Sequence, residues 1–352
     1  MKANQELLNH PFWKETDPSR LRLVRVSAEL PSELNPFASD GVVFRAAAVP
    51  GETPHSKWVM AREGIMDGIK KGLIGPKTTV IEATSGNTGN AMSTVCNALG
   101  VRFVAAMSID VPHDKIDAIR VLGRRTGLHL ISDTDETTVA YARRLGAKDG
   151  WYNPCQYDGE WNWKAHYCHL APQLFGQAKQ ISILALPAGT MGTCIGLAKY
   201  ARDRGLRTVV VPVLCAEGQE VPGVRTLSSV RKDIRQPWEK FFQKKDLQFG
   251  TRHAAFYLSF LTWSHVTPHL GPSFGLGIAG AFSFLRKHKD VRTLEQFRDK
   301  EDGKIHVVVF GPDDCRPYLP LYFGALNRKT EFSPTIPPLN LLQMLSESGD
   351  IR

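Results

Sequence analysis

Short runs of apolar residues, each about the length of a strand, alternate along this chain with segments whose apolar positions recur at helical spacing. Val42–Phe44, Thr79–Ile81, Phe103–Ala106, Leu128–Ile131, Ile181–Leu186, Val209–Leu214 and Ile305–Phe310 are the predicted strands, and Trp58–Lys71, Asn87–Leu99, Lys115–Thr126, Thr137–Leu145 and Thr193–Arg204 the predicted helices. Near-continuous apolar runs suit strands covered on both faces, and their alternation with helices predicts an α/β fold of mostly parallel sheets with flanking helices. Ligands of such sheets gather at the carboxyl ends of the strands. The loops at 82–89, 187–193 and 271–277 are therefore the places to seek function. No internal repeat or long linker interrupts the pattern, and the tail from Asn327, with Ser333-Pro334 and Pro337-Pro338, reads as irregular.

Composition narrows the class. With 352 residues, 42% hydrophobic and 22% charged, the chain can bury a large core as one α/β unit or as two lobes, which excludes a disordered, collagen-like or disulfide-scaffold protein. The longest weakly polar stretch, Ser182 to Ala198, is broken by Pro187, Gly189, Gly192 and Gly196, so no transmembrane helix is expected. Met1 to Arg20 lacks an apolar signal region, and the expected location is cytoplasmic. Six scattered cysteines without C-x-x-C read as spectator thiols, and the histidines show no metal-ligand spacing, so no metal is expected. The net charge of +9 comes in short groups such as Arg124-Arg125, Arg143-Arg144 and Arg286 to Lys289. None is interleaved with aromatics, which argues against a nucleic-acid partner and for a bias toward small anionic substrates.

Two strand-to-helix junctions carry the chemistry. Glu82-Ala83-Thr84-Ser85-Gly86-Asn87-Thr88-Gly89 places hydroxyls, an amide and two glycines at a helix start, which suits a carboxylate or a phosphate and equally suits plain helix capping. Pro187-Ala188-Gly189-Thr190-Met191-Gly192-Thr193 is a second such junction, a candidate phosphate cradle or a tight capped turn. It fits neither the dinucleotide G-x-G-x-x-G spacing nor the P-loop. Two anion sites point to a ligand pair with two anionic ends.

These two loops, together with Gln156, Asn162, His166, Tyr167 and Gln177, Gly271-Pro272-Ser273-Phe274-Gly275, and Gly311-Pro312-Asp313 through Tyr318, resemble the cysteine synthase / cystathionine β-synthase family of pyridoxal-phosphate enzymes. The resemblance covers roughly Gly41 to Leu319 and marks the chain as a divergent member. It implies the two-lobed fold type II architecture, tryptophan synthase β-like. The smaller α/β lobe is expected over 52–160, the larger over 1–51 plus 161–326, and 327–352 is left as a tail. It implies pyridoxal 5'-phosphate as cofactor, with Lys57 as the Schiff-base lysine and the base for the Cα proton. Asn87 would meet the cofactor's phenolic oxygen; Gly189, Thr190, Met191, Gly192 and Thr193 would hold its phosphate; Ser273 would face the pyridine nitrogen. Thr84, Ser85, Gly86, Thr88 and Gln156 would bind the substrate carboxylate. His55 is a further candidate near the lysine.

A neutral serine at the pyridine nitrogen weakens the ring as an electron sink and favours loss of a β-substituent. The implied activity is β-replacement on serine or an activated serine (O-acetyl- or O-phosphoserine-like) through an aminoacrylate, in a homodimer acting on small amino acids. The alternatives are β-elimination, as by a dehydratase or desulfhydrase, and a non-catalytic binding protein. Four features depart from the family pattern, the first being that Ala48 and Ala46 stand where an acidic partner and a lysine are usual on the preceding strand. Lys57 follows Gly51-Glu52-Thr53-Pro54-His55-Ser56 instead of the usual Asn-Pro-x-Gly-Ser-x; Met191 replaces a glycine, which requires a negative φ there or a shifted loop; and Pro222 to Leu227 stands where a glycine-rich substrate segment is expected. Within that segment Arg225 is a candidate reader of a second anionic group.

Overall fold

The computed structural model describes residues 2–49, 56–109, 111, 113–120, 125–132, 136–263, 265–266 and 269–312. Gly51 to His55, Cys315, the stretch Asp313 to Tyr318 and the tail 327–352 lie outside the described residues. The strands are β1 (Arg25–Glu29), β2 (Val42–Ala48), β3 (Thr79–Ala83), β4 (Arg102–Ser108), β5 (Thr126–Ile131), β6 (Trp151–Tyr152), β7 (Ile183–Pro187), β8 (Val209–Cys215), β9 (Gln248–Gly250) and β10 (Ile305–Gly311). The α-helices are α1 (Lys2–Leu8), α2 (Phe12–Glu15), α3 (Lys57–Lys70), α4 (Asn87–Ala98), α5 (His113–Arg120), α6 (Thr138–Gly146), α7 (Glu160–Ala165), α8 (Ala171–Gln177), α9 (Gly192–Asp203), α10 (Leu227–Asp233), α11 (Arg252–Leu261) and α12 (Pro272–Asp290).

The described residues divide into two units, one from Met1–Arg22, Glu52–His169 and Asp233–Gln236, the other from Leu23–Gly51, Leu170–Lys232 and Pro237 onward. The first unit thus adds residues 1–22, 161–169 and 233–236 to the stretch expected as the smaller lobe. Its sheet runs β5-β4-β3-β6 with every pairing parallel. All five residues of β3 are buried, glutamate included, as a parallel strand covered on both faces requires. Helix α6 packs on β3 and β4, and α3 packs on both α4 and α7.

In the second unit the order is β1-β2-β10-β7-β8-β9, parallel except at the β1–β2 edge. Every residue of β10 is buried, whereas β1 is half-exposed, carries Arg25 and Glu29, and changes register between Val26 and Glu29. A charged, bulged edge strand resists pairing with another chain, and its weak apolar pattern is why the sequence does not predict it. Helix α12 lies against β7, β8, β9 and β10, with Pro272 to Leu285 buried throughout. Phe282 on this helix meets Phe44 edge-on at 5.4 Å and Phe37 at 6.0 Å.

Two expectations change. Of the helix predicted over Lys115–Thr126, α5 covers His113–Arg120, residues 121–124 lie outside the described residues, and Thr126 is the first residue of β5. The loop predicted over 271–277 is helix from Pro272, leaving only Gly271 outside it. Glycines cost about 1 kcal/mol each in a helix interior, but here they permit close packing: a Cβ on Gly275 would stand 1.9 Å from the Ala255 carbonyl oxygen of α11. Thr137, by contrast, caps α6 as its position suggests, accepting from the Ala140 N–H at 3.2 Å.

Candidate active site

In the first unit, β3 delivers the Thr84–Gly89 loop into the start of α4. Gly86 occupies the N-cap position at φ +138° and has no side chain to cap with. Thr84 takes over that task, its Oγ1 accepting from the Gly86 N–H at 3.0 Å and the Gly89 N–H at 2.9 Å. Both lone pairs of the hydroxyl are then engaged, so its remaining capacity is the O–H donor. The capping reading and the anion reading are therefore compatible: the cap shapes the loop and leaves a donor, beside a helix start whose dipole favours negative charge.

Thr88 and Gln156 are spent differently. Thr88 Oγ1 donates to Gln156 Oε1 at 2.8 Å, and Gln156 Nε2 donates to the Ala83 carbonyl at 2.7 Å. The Thr88 hydroxyl proton is thus committed within the protein, and Gln156 retains a single amide hydrogen for any ligand. The backbone of Gln156 is held as firmly. Its N–H donates to Glu82 Oε2 at 3.1 Å, and its carbonyl accepts from Asn162 Nδ2 at 2.7 Å and Gln236 Nε2 at 2.9 Å. Gln156 is the keystone of the loop more than an arm extended to the substrate.

Lys57 is half-buried at the first position of α3, and Asn87 opens α4, the helix packed beside it. His166, 1% exposed, follows α7 and opens a π-helical turn, an irregularity often found at functional positions. Burial, then the charges of Lys57 and His169, push the His166 imidazole down to about 3, so it stays neutral beside the lysine. Tyr167 lies edge-on to Trp163 at 6.5 Å.

In the second unit, β7 runs into the 188–193 loop. The Ala188 N–H donates to the Val213 carbonyl at 2.8 Å, and the Arg225 N–H donates to the Ala188 carbonyl at 3.0 Å. A Cβ on Gly189 would meet the Gly223 carbonyl oxygen at 2.5 Å, so only glycine lets the 221–226 segment lie this close. Met191 sits at φ +65°, ψ −8°, in the left-handed region. The expectation of a negative φ or a displaced loop is corrected: the loop keeps a glycine-like turn with a methionine in it and turns directly into α9. Ser273 is 3% exposed at the second position of α12. One turn on, a Cβ at Gly277 would touch Pro187 at 3.8 Å, so α12 and the start of the 188–193 loop are neighbours. Gln177 belongs elsewhere; its Nε2 donates to the Val24 carbonyl at 2.8 Å and it clamps the edge strand β1.

The residues present fit pyridoxal phosphate. A half-buried lysine with a neutral histidine nearby suits attachment through an amine, and a loop carrying Thr190 and Thr193 that turns through a left-handed residue into the start of α9 suits a phosphate. A buried neutral hydroxyl at a helix start suits the pyridine nitrogen. Sequence reasoning placed Glu82 in the junction motif and His166 in the family resemblance without giving either a role, and it missed Gln236. Glu82 carried a signal, a charged residue in an otherwise apolar strand; Gln236 carried none, because its partner lies 80 residues away.

The family model for pyridoxal-phosphate dependent enzymes matches residues 57–264. The chain is 31% identical over 159 residues to a cysteine synthase of Dictyostelium discoideum, spanning 44% of this chain and 41% of that protein. It is 24% identical over 270 residues to cysteine synthase B of Escherichia coli K12, spanning 71% and 82%. A cystathionine beta-synthase of Dictyostelium discoideum is 29% identical over 154 residues, spanning 42% and 31%. The chain thus spans less than half the length of these two Dictyostelium relatives. An O-ureido-L-serine synthase structure shares the fold with a TM-score of 0.70 at 19% identity, over 89% of this chain and 96% of that one. The chain belongs to the family of pyridoxal-phosphate dependent enzymes, with cysteine synthases and cystathionine beta-synthase among its distant relatives.

Proposed function

We propose that this protein catalyses pyridoxal-phosphate-dependent β-replacement on serine or an activated serine. The observation that supports it most is the Thr84–Gly89 loop, whose hydrogen bonds leave Thr84 as a donor at a dipole-favoured helix start, on the helix packed beside that of Lys57. Bound pyridoxal phosphate supplies an electron sink for the bond to the Cα hydrogen. The chain's own residues do the rest. Lys57 holds the cofactor and then moves the Cα proton at its Nζ. Neutral His166 adds no positive charge beside Lys57 that would compete for the cofactor's anionic oxygens. Thr84, the backbone of Ser85 to Thr88 and the remaining Gln156 amide hydrogen orient the substrate carboxylate. Thr190, Thr193 and the backbone of Gly189, Met191 and Gly192 anchor the phosphate, and Ser273 meets the ring nitrogen without a charge, which favours departure of a β-substituent. A homodimer is part of the same reading.

The test is the visible absorption spectrum of the purified protein beside Lys57→Ala. The wild type should show a violet-region band that the variant lacks, and the band should shift on adding serine or O-acetylserine. Product formation should require an added nucleophile. Pyruvate and ammonia released without one would instead favour β-elimination, and a band indifferent to every amino acid would favour a non-catalytic binding protein.

A further inference from the structure

Glu82 stands outside this scheme and directly beneath it. It is fully buried in β3, with its Oε1 accepting from the Ala83 N–H and its Oε2 from the Gln156 N–H, both at 3.1 Å. Ala83 and Gln156 are bonded to each other, and Gln156 to Thr88 in the first turn of α4. One carboxyl therefore ties the strand that delivers the anion loop to the segment that braces it. We propose that Glu82 is the positioning residue of the carboxylate loop and makes its affinity proton-dependent: neutral Glu82 lets the loop take an anion, and ionised Glu82 opposes it. This rests on the reading of Thr84–Gly89 as the substrate-carboxylate site.

Of the charges around Glu82, Asp158 raises its carboxyl and Arg143 lowers it, and burial outweighs both. Arg143 on α6 engages Asp158 through two N–H bonds, at 2.7 and 3.2 Å, and donates again to the Asp233 carbonyl, so its charge is largely matched. Among the described residues, the other titratable groups whose charges reach Glu82 are Asp158, Tyr152 of β6 and Cys155. Burial raises both the tyrosine and the thiol, keeping them neutral at pH 7. On the remaining neighbours, β4 places Ala105 opposite Glu82, and α4 carries no charged residue, only the buried thiol of Cys96, which is also raised. Burial pushes the Glu82 carboxyl up to about 8, against the two N–H donors that lower it. Two like charges in one poorly solvated region each raise the cost of the other. By linkage, an anion seated in the loop must then hold a proton on Glu82, and each equilibrium shifts the other by the same factor.

The experiment titrates glycerate, which has the carboxylate and hydroxyl of serine but no amine, into the cofactor-loaded protein by calorimetry from pH 6 to 10. Wild-type affinity should be flat to about pH 8 and then fall by up to tenfold per pH unit. Heats in buffers of different ionisation enthalpy should show proton uptake approaching one per glycerate at pH 9. In Glu82→Gln the affinity should stay flat and the uptake vanish. Equal pH slopes in the two proteins, or no uptake by the wild type, overturn the proposal while leaving the loop as the carboxylate site. Failure of glycerate to bind at any pH removes that site reading and the proposal with it. If Glu82→Gln does not fold, the wild-type uptake alone decides.

Discussion

Met191 offers the sharpest test of the phosphate loop's geometry. At φ +65° an L-residue meets a steric penalty of about 1–2 kcal/mol that glycine escapes. The side chain is 1% exposed, so truncation to alanine removes buried apolar atoms and leaves a cavity, at about 2–5 kcal/mol. Comparing Met191→Ala with Met191→Gly cancels most of that loss. At an ordinary helical or extended position the glycine variant is the weaker by about 0.5–1 kcal/mol, because glycine loses more backbone entropy on folding. Here relief of the left-handed strain outweighs that entropy, so Met191→Gly should be the more stable of the two by about 1 kcal/mol. With a urea m-value of about 2–3 kcal/mol/M for a chain of this size, the midpoints should differ by about 0.3–0.5 M in glycine's favour. Equilibrium urea unfolding followed by tryptophan fluorescence measures this directly, with both variants expected below the wild type. An alanine variant as stable as the glycine variant would refute a left-handed Met191 and restore the loop to a negative φ.

Other consequences can be checked alongside. Gly275→Ala forces a Cβ to within 1.9 Å of the Ala255 carbonyl, so thermal unfolding should show a loss of at least about 1–3 kcal/mol. Gly176→Ala, on α8 with nothing within 4 Å of the added carbon, should instead gain about 1 kcal/mol. For Glu82, the folded-state carboxyl at about 8 lies above its ordinary 4.5, so the folded state binds the extra proton between these values and stability falls as pH rises through them. Over that 3.5-unit span the loss is at most about 5 kcal/mol at about 1.4 kcal/mol per unit, and denaturation of Glu82→Gln at pH 5 and pH 8 should show it abolished. Arg225→Ala should lower the preference for an anionic leaving group in a donor competition assay; unchanged preference would remove Arg225 from donor recognition.

Buried parallel strands were legible because their environment is uniform. Apart from Arg45 and His306, β2, β7, β8 and β10 carry apolar side chains on both faces, and their runs stand out without knowledge of any partner. Helix α12 failed for the opposite reason. Its glycines at 275, 277 and 280 argue against a helix locally, and the compensating close approaches to Ala255, Val309 and Val213 come from residues far along the chain. Local propensity and tertiary packing point in opposite directions there, and packing prevails. The edge strand β1 was hidden because an exposed edge favours the charges that erase an apolar pattern.

The same distinction governs the site. Residue types at a strand-to-helix junction reveal that an anion is welcome, but not which hydroxyl remains to greet it. Thr84 and Thr88 look equivalent in the sequence, yet one is left as a donor by two backbone N–H groups while the other spends its proton on Gln156. That difference is set by Glu82, Asn162 and Gln236, which fix where Gln156 stands, and two of these lie more than 70 residues from it. A buried network of this kind is costly when any member is missing, because each lost partner strands a desolvated polar group. The loop's specificity therefore resides as much in the residues that hold Gln156 as in the ones that face a ligand, and substitutions at Gln236 or Asn162 bear on carboxylate binding without touching the carboxylate.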